Sequence, residues 1–393
     1  MKKYLLVMLA TVHLVGCGEH DSDKKITVSN NQSFARSGEV VSISAESVGL
    51  HDGQVLTDFG IANDKGVLEL IQYVDDNKDG IADRVLFQPS VPANAKAVYT
   101  LLKLNEDDTL PTSENECYSR FVPERTDDYA WENDKVAFRT YGPTAQQMVE
   151  DSVKGGTLTS GMDCWLKRVE YPVINKWYKK YTEKTGSYHR DTGEGLDNFH
   201  VGASRGCGGI AIKNGDEYKT SKNFTAYETL ATGPMSTSFV LDYAPWEIAE
   251  GKNVKTSKLI SLDKGSHLSR VEVSVAGSDV ISAGLTLHQN DGEVKVDSLG
   301  GWITYWQPHG RNSRLATAIV ASPGTFLGYE KVVTDVKDLS NVYAHLSVND
   351  GKAIYYTGFF WEKSNHFDSV EQWYDYLSQY AQQLANPLTV AVD

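Results

Sequence analysis

The feature that most constrains this chain is a short pattern repeated along almost its whole length. Runs rich in Val, Ile, Thr and Tyr alternate with Gly, Asn, Asp or Pro turns; VVSISAESV, KVAFRTYG, SRVEVSVAG and RLATAIVAS are examples. Alternation at period two puts apolar side chains on one face of a strand, so each run needs a second layer to cover it. The runs are too many for a small barrel, and they predict a mainly β protein of two large stacked antiparallel sheets. Asn349-Asp350-Gly351 between two such runs predicts a tight hairpin turn, because Asp-Gly readily takes positive φ.

Two segments depart from this pattern. In residues 172–184 a proline is followed by Val173, Ile174, Trp177, Tyr178 and Tyr181 at helical spacing. Near the end, Ser369 with Gln372 forms a capping-box pattern, Val370, Trp373, Leu377, Ala381 and Leu384 make one apolar stripe, and Asn386-Pro387 stops it. With 393 residues and neither an internal repeat nor a low-complexity linker, a single domain over 26–393 is expected.

The first residues carry an address. Lys2 and Lys3 precede an apolar run, Leu5–Val15, that is too short to span a bilayer and ends in Leu-Val-Gly-Cys. This resembles a bacterial lipoprotein signal: residues 1–16 removed, Cys17 lipidated, residues 17–25 a polar tether. Gly18 after that cysteine fits outer-membrane sorting, at the periplasmic face or the cell surface. An exported protein sits in an oxidising compartment, so Cys164 and Cys207, both in the Gly-rich centre, are the preferred disulfide pair and Cys117 is left over.

Charge narrows the partners. A net −14 argues against nucleic acid, which needs a positive surface, but a local basic pocket could still take an anionic sugar. Asp75-x-Asn77-x-Asp79-Gly80, with Asp83, has the alternating oxygens and sharp turn that calcium favours. Leu86 stands where an EF-hand would carry Glu, so a structural calcium loop and a plain solvated turn both remain open. No cofactor is otherwise required.

Reactive side chains concentrate in residues 155–209, where strand alternation lapses. Tyr188, His189, Arg190, Asp191, Glu194, Asp197, His200 and Arg205 lie there among glycines. Long irregular segments on a β scaffold are where function tends to sit. Ser204 lacks a nucleophile elbow. Asp163, Glu170, Asp191 and Glu194 leave a two-carboxylate glycosidase open. Tyr, His, Lys and Arg suit a different chemistry, elimination from a uronic acid. There a base takes the proton beside the carboxylate, a cation neutralises the carboxylate, and an acid protonates the departing oxygen.

The lipoprotein start, Asp76-Asn77-Lys78-Asp79-Gly80, Trp131-Glu132-Asn133-Asp134, SGMDCWLKRVEYP, SYHRDTGEGLDNFHVGASRGCGG and FFWEKSNHF with WYDYL together resemble one bacterial lipoprotein family. That family is common in marine and gut polysaccharide degraders and includes an ulvan oligosaccharide dehydratase. The resemblance runs from about Ile26 to Pro387. It implies a galactose-mutarotase-like β-supersandwich with a helix-containing active-site insert. It also implies loss of water from a non-reducing-end uronic acid to give a 4,5-unsaturated product. The chemistry, rather than the resemblance, assigns the roles. His189 or Tyr188 is expected as base, the other or His200 as acid, and Lys167 and Arg205 on the carboxylate. Trp131, Trp165, Trp306 and His309 are candidates to line the sugar cleft. The alternatives are a polysaccharide lyase, a glycoside hydrolase or a non-catalytic glycan-binding lipoprotein.

Overall fold

The computed structural model describes residues 23–51 and 53–393; the leader, its cleavage site and Cys17 lie outside them. The chain is mainly β, as expected, and every named strand pairing is antiparallel. A nine-stranded sheet runs from Phe224–Ala231 through Lys252–Asp263, Lys352–Trp361 and Arg314–Ala321 to Glu293–Asp297. A five-stranded sheet built on Cys207–Asn214, Val280–Thr286 and Asn341–Ser347 covers it. Between them lies the main apolar core, with Phe239, Ile260, Val271, Ala283, Ile319 and Phe359 all but fully buried. The alternation seen in sequence is the alternation seen in burial: Lys252–Asp263 buries every second side chain from Val254 to Leu262.

A second five-stranded sheet carries Tyr118–Val122, Asp128–Glu132, Ala137–Thr140, Asp163–Lys167 and Gly195–Leu196. It brings the helix-containing central segment up against the sandwich. Residues before Leu104 fold on a smaller core of their own, around Ile26, Ile43, Ile61 and Phe87. The closing strand Thr389–Val392 pairs with Lys24–Asn30 at the edge of that lobe, so both ends of the described chain meet there.

The Asp350-Gly351 turn forms, with positive φ at both residues and paired bonds between Asn349 and Lys352. Its two strands nevertheless part at once. Asn341–Ser347 joins the five-stranded sheet and Lys352–Trp361 the nine-stranded one, because each finds a longer ladder elsewhere. The turn is a corner between layers rather than the tip of a hairpin.

The central helix covers Ile174–Thr182, two residues inside the expected span at each end, and buries Ile174, Trp177 and Tyr178. No local side chain caps it. The Glu132 carboxylate, from a neighbouring strand, accepts the N–H groups of Val173 and Ile174 at 2.9 Å. The C-terminal helix Val370–Ala385 is capped by Ser369 as expected. It lays Trp373 and Leu377 on the outer face of the large sheet, against Trp302, Trp306, Ala316 and Phe360.

Ahead of that helix, His366 Nδ1 lies 3.1 Å from His267 Nε2. Burial pushes both imidazoles below the ordinary 6.5, His366 to about 4. In that window the unfolded chain binds protons that the folded pair refuses, so this pair's contribution to stability falls as pH drops from about 6.5 to about 4. The buried Asp128 carboxyl, raised to about 6, works in the opposite direction, so the pair is best read by difference. His366→Gln is expected to lessen the acid loss seen in urea unfolding by about 1–2 kcal/mol. Parallel pH profiles for the two proteins would show that the pair does not titrate as described.

Candidate functional site

A cleft of about 680 Å³ opens where the central segment meets the sandwich, and its lining includes Arg139, Tyr141, His189, Asp197, Asn198 and His200. Its wall is built by strand register. Asp163 stands directly opposite Arg139 on adjacent strands, and Ala130 faces Arg139 on the other side, which brings Asp128 within reach. Arg139 Nε and Nη2 donate to Asp163 Oδ2 at 3.0 and 2.5 Å, and Nη2 also reaches Asp197 Oδ2 at 2.9 Å. Nη1 lies 3.4 Å from both Asp128 Oδ2 and the Tyr188 hydroxyl. The rings of Tyr141, Trp165 and Tyr188 surround the guanidinium at 5.2–5.9 Å.

Three buried carboxylates therefore share one guanidinium. Burial raises the Asp163 carboxyl well above its ordinary value, the Asp197 charge adding to it, and raises Asp128 to about 6. Among the described residues, Oδ1 of Asp163 and Oδ1 of Asp128 are buried without a hydrogen-bond partner, whereas Asp163 Oδ2 also accepts from the Tyr141 hydroxyl at 3.2 Å. Arg139 is kept charged by Asp197 and Asp163 despite its burial.

In front of this wall stand two half-exposed histidines, each tied to an acidic residue. His189 Nδ1 is 2.8 Å from the Asp197 carbonyl oxygen and 3.6 Å from its Oδ2. The carbonyl can only accept, so Nδ1 carries a proton and Nε2 is left as the free nitrogen. His200 Nε2 is 2.9 Å from Asp338 Oδ1, which leaves Nδ1 free. Gly202 makes that second pair possible: its φ is +53°, and a Cβ there would sit 1.9 Å from Asp338 Oδ2.

Of the expected residues, His189 and His200 meet in the cleft. Tyr188 does not reach it freely. Its ring is buried behind Arg139 and desolvation pushes its phenol up, which disfavours it as a base. His309 stands one layer back, with Nε2 3.0 Å from Asn198 Oδ1.

The others lie outside the cleft lining. Lys167 is fully buried, donating to Glu132 at 2.9 Å and to the Asn133 carbonyl at 2.8 Å; it steadies the carboxylate that caps the central helix. Arg205 is buried under Ser160, Thr159 and the carbonyls of Ala203 and Ile210, and pairs with no carboxylate among the described residues. Trp131 stacks on Phe138 in the main core, and Trp165 packs with Trp177 and Tyr178. Trp306 lies under the C-terminal helix beside Phe360. Each ring buries more apolar area in these cores than a cleft wall would allow. Cys164 and Cys207 are neighbours but free thiols rather than a disulfide; Cys207 Sγ donates to the Gly358 carbonyl at 3.2 Å.

The Asp75–Asp83 loop closes on itself. Asp75 accepts the N–H groups of Lys78 and Gly80, and Asn77 and Asp79 accept those of Asp79 and Ile81. Among the described residues, no three His, Cys, Asp or Glu side chains converge as a metal site requires. Asp75, Asn77 and Asp79 stand in this hydrogen-bonded turn, and Asp83 Oδ2 accepts the Asp76 N–H at 2.7 Å.

Sequence reasoning did not single out Arg139, Tyr141, Asn198 or Asp128. The available signal was a charge inside an apolar strand, as in KVAFRTYG and GMDCWLK, since such a charge must find a buried partner.

A relative named Uncharacterized protein P7, from Formosa agariphila, is 47% identical over 391 residues, 99% of this chain and 98% of its own. Among solved structures, a protein in glycosyl hydrolase family 38 from Enterococcus faecalis is similar, with a TM-score of 0.52 at 11% identity. The match covers 95% of this chain and 48% of that one, so this chain spans about half its length, and the likeness is one of fold. The family profile described as a domain of unknown function, DUF4861, matches residues 28–390, and the chain belongs to that family.

Proposed function

We propose that this protein is a carbohydrate-active dehydratase that removes water from the non-reducing-end uronic acid of an anionic, ulvan-like oligosaccharide. The observation that carries the reading is the pair of histidines, each held by an acidic residue, opening into one cleft whose carboxylates are withdrawn into the wall. Such a cleft offers a base and an acid but no exposed carboxylate pair, which favours elimination over glycosidic hydrolysis. His189 Nε2 takes the proton from C5. The C5–H electrons form the C4–C5 double bond, the C4–O bond breaks, and His200 protonates the leaving oxygen, which departs as water. No oxidant or cofactor is consumed. A glycosyl hydrolase family protein on the same fold agrees with a sugar ligand.

The amino-terminal pattern supports a matching location: export, lipidation at Cys17 and tethering at the outer membrane, where oligosaccharide fragments arrive.

The test is to incubate the soluble form with saturated uronic-acid oligosaccharides and follow near-ultraviolet absorbance and product mass. Absorbance growth with a product lighter by one water is expected. Two shorter chains, one unsaturated, would make the protein a chain-cleaving lyase. New reducing ends without absorbance would make it a hydrolase, and binding without turnover a glycan-binding protein.

A further inference from the structure

A second cavity, of about 870 Å³, lies where the amino-terminal lobe and the C-terminal helix meet the outer face of the nine-stranded sheet. It shares no lining residue with the cleft. Its size is that of a small-molecule site, roughly 300–1,000 Å³.

The floor of this cavity follows from strand register. Lys252–Asp263 turns Val254, Ile260 and Leu262 into the main core, so Ser261 and Asp263, at the alternate positions, face outward. Ser261 stands opposite Arg270 on the next strand, and Arg270 opposite Tyr356 on the one after. These three side chains therefore make one rung across the outer face. One wall is helical: Tyr376, Gln379, Tyr380 and Gln383, spaced by three and four, share one face of Val370–Ala385. The lobe supplies another wall, around Val41 and Ser42.

The lining combines rings with hydrogen-bonding groups. Tyr356, Tyr376 and Tyr380 are only partly buried where they pack on the Trp373–Phe360 cluster, with ring centres 5.3 and 5.8 Å from that of Tyr380. The Tyr376 hydroxyl is fixed in place, accepting the His267 N–H at 3.1 Å. Asp263 lies deep and forms no ion pair among the described residues. Burial raises its carboxyl above the ordinary value, offset in part by the Ser236 hydroxyl opposite it and by the charges of Arg270 and Arg84. Arg270 spends its own charge on Glu272, at 2.7 Å. A carboxylated ligand would meet the unpaired Asp263 and a cation would meet Arg270, so neither sign of charge is favoured. A ligand with an apolar C–H face and an edge of hydroxyls satisfies the rings and the carboxyl together.

We propose that this cavity is a second carbohydrate site, which binds a neutral sugar unit with the tyrosine rings against its C–H face and Asp263 accepting its hydroxyls. The site goes beyond the dehydratase reading, because capture there is independent of any reaction in the cleft.

The experiment is saturation-transfer NMR on the wild-type protein with the methyl glycosides of glucose, galactose, fucose and xylose. Methyl glucuronide and tetramethylammonium serve as probes of either charge. Saturation of at least one neutral glycoside is expected, with neither charged probe bound in its place. Asp263→Asn, which keeps the shape but loses the charged acceptor, should weaken that glycoside at least fivefold by titration. Ser42→Trp fills the cavity from the lobe and Gln379→Trp from the helix; each should abolish the signal. Both positions are exposed, and thermal unfolding of each variant confirms that the fold is kept. Binding that survives both tryptophan variants lies elsewhere and overturns the proposal. So does the absence of binding by every neutral glycoside, or preference for a charged probe. Unchanged affinity in Asp263→Asn would overturn the role given to that carboxyl.

Discussion

Replacing Arg139 by methionine is expected to destabilise the fold by about 3–5 kcal/mol at neutral pH, because it leaves three buried carboxylates without their shared cation. The loss should depend on pH in a definite direction. Without the guanidinium, the folded-state values of Asp128 and Asp163 rise further above those of the unfolded chain. The folded variant then binds protons that its unfolded chain has released, so its stability declines as pH rises through the acid range. The deficit relative to wild type should be small at pH 5 and large at pH 8. Urea unfolding at both values measures it. A deficit below about 1 kcal/mol at pH 8 would mean that the carboxylates are relieved by solvent and the cluster is not a closed unit. Arg139→Lys keeps a charge but not the fork, and should fall between the two.

His189→Ala is expected to lower turnover of saturated uronic-acid oligosaccharides by about 10²–10⁴-fold, the range for loss of a general base. Thermal unfolding should barely move, because the ring is half exposed and the bonds that hold Asp197 come from Arg139. The contrast with Arg139→Met is the informative part: one substitution removes chemistry and spares the fold, the other removes the support of both. Unaltered turnover in His189→Ala would take His189 out of the mechanism and move the base to His200 or to a group outside the pair.

Much of the architecture was legible in the residues. Period-two alternation gave the strands, the Ser369 cap and the Trp373–Leu377 stripe gave the C-terminal helix, and the density of reactive side chains pointed to the segment that borders the cleft. The site was legible in part. His189 and His200 line the cleft, and both stand in an irregular, glycine-rich loop where exposure is the rule. That Lys167, Arg205 and the tryptophans are buried outside the cleft lining was not legible, for one shared reason. A cation or an aromatic ring is equally useful in a cleft and in a core, and local sequence does not say which face of a strand is covered. Lys167 is buried only because Glu132, from a strand 35 residues earlier, lies against it.

The sequence by itself determined the period of its strands, the start and stop of the C-terminal helix and the loop in which acid–base groups gather, since these depend on neighbours a few residues apart. The tertiary structure alone decided the charge map. It drew Asp128, Arg139, Asp163 and Asp197 from three strands and a loop into one buried cluster, and set Asp338 against His200 across 138 residues. It also sent the two arms of the Asp350-Gly351 turn into different sheets. The physical reason is range. Propensity and alternation are local, whereas the cost of burying a charge is met only by whichever opposite charge or hydrogen-bond donor the fold brings within about 3–4 Å.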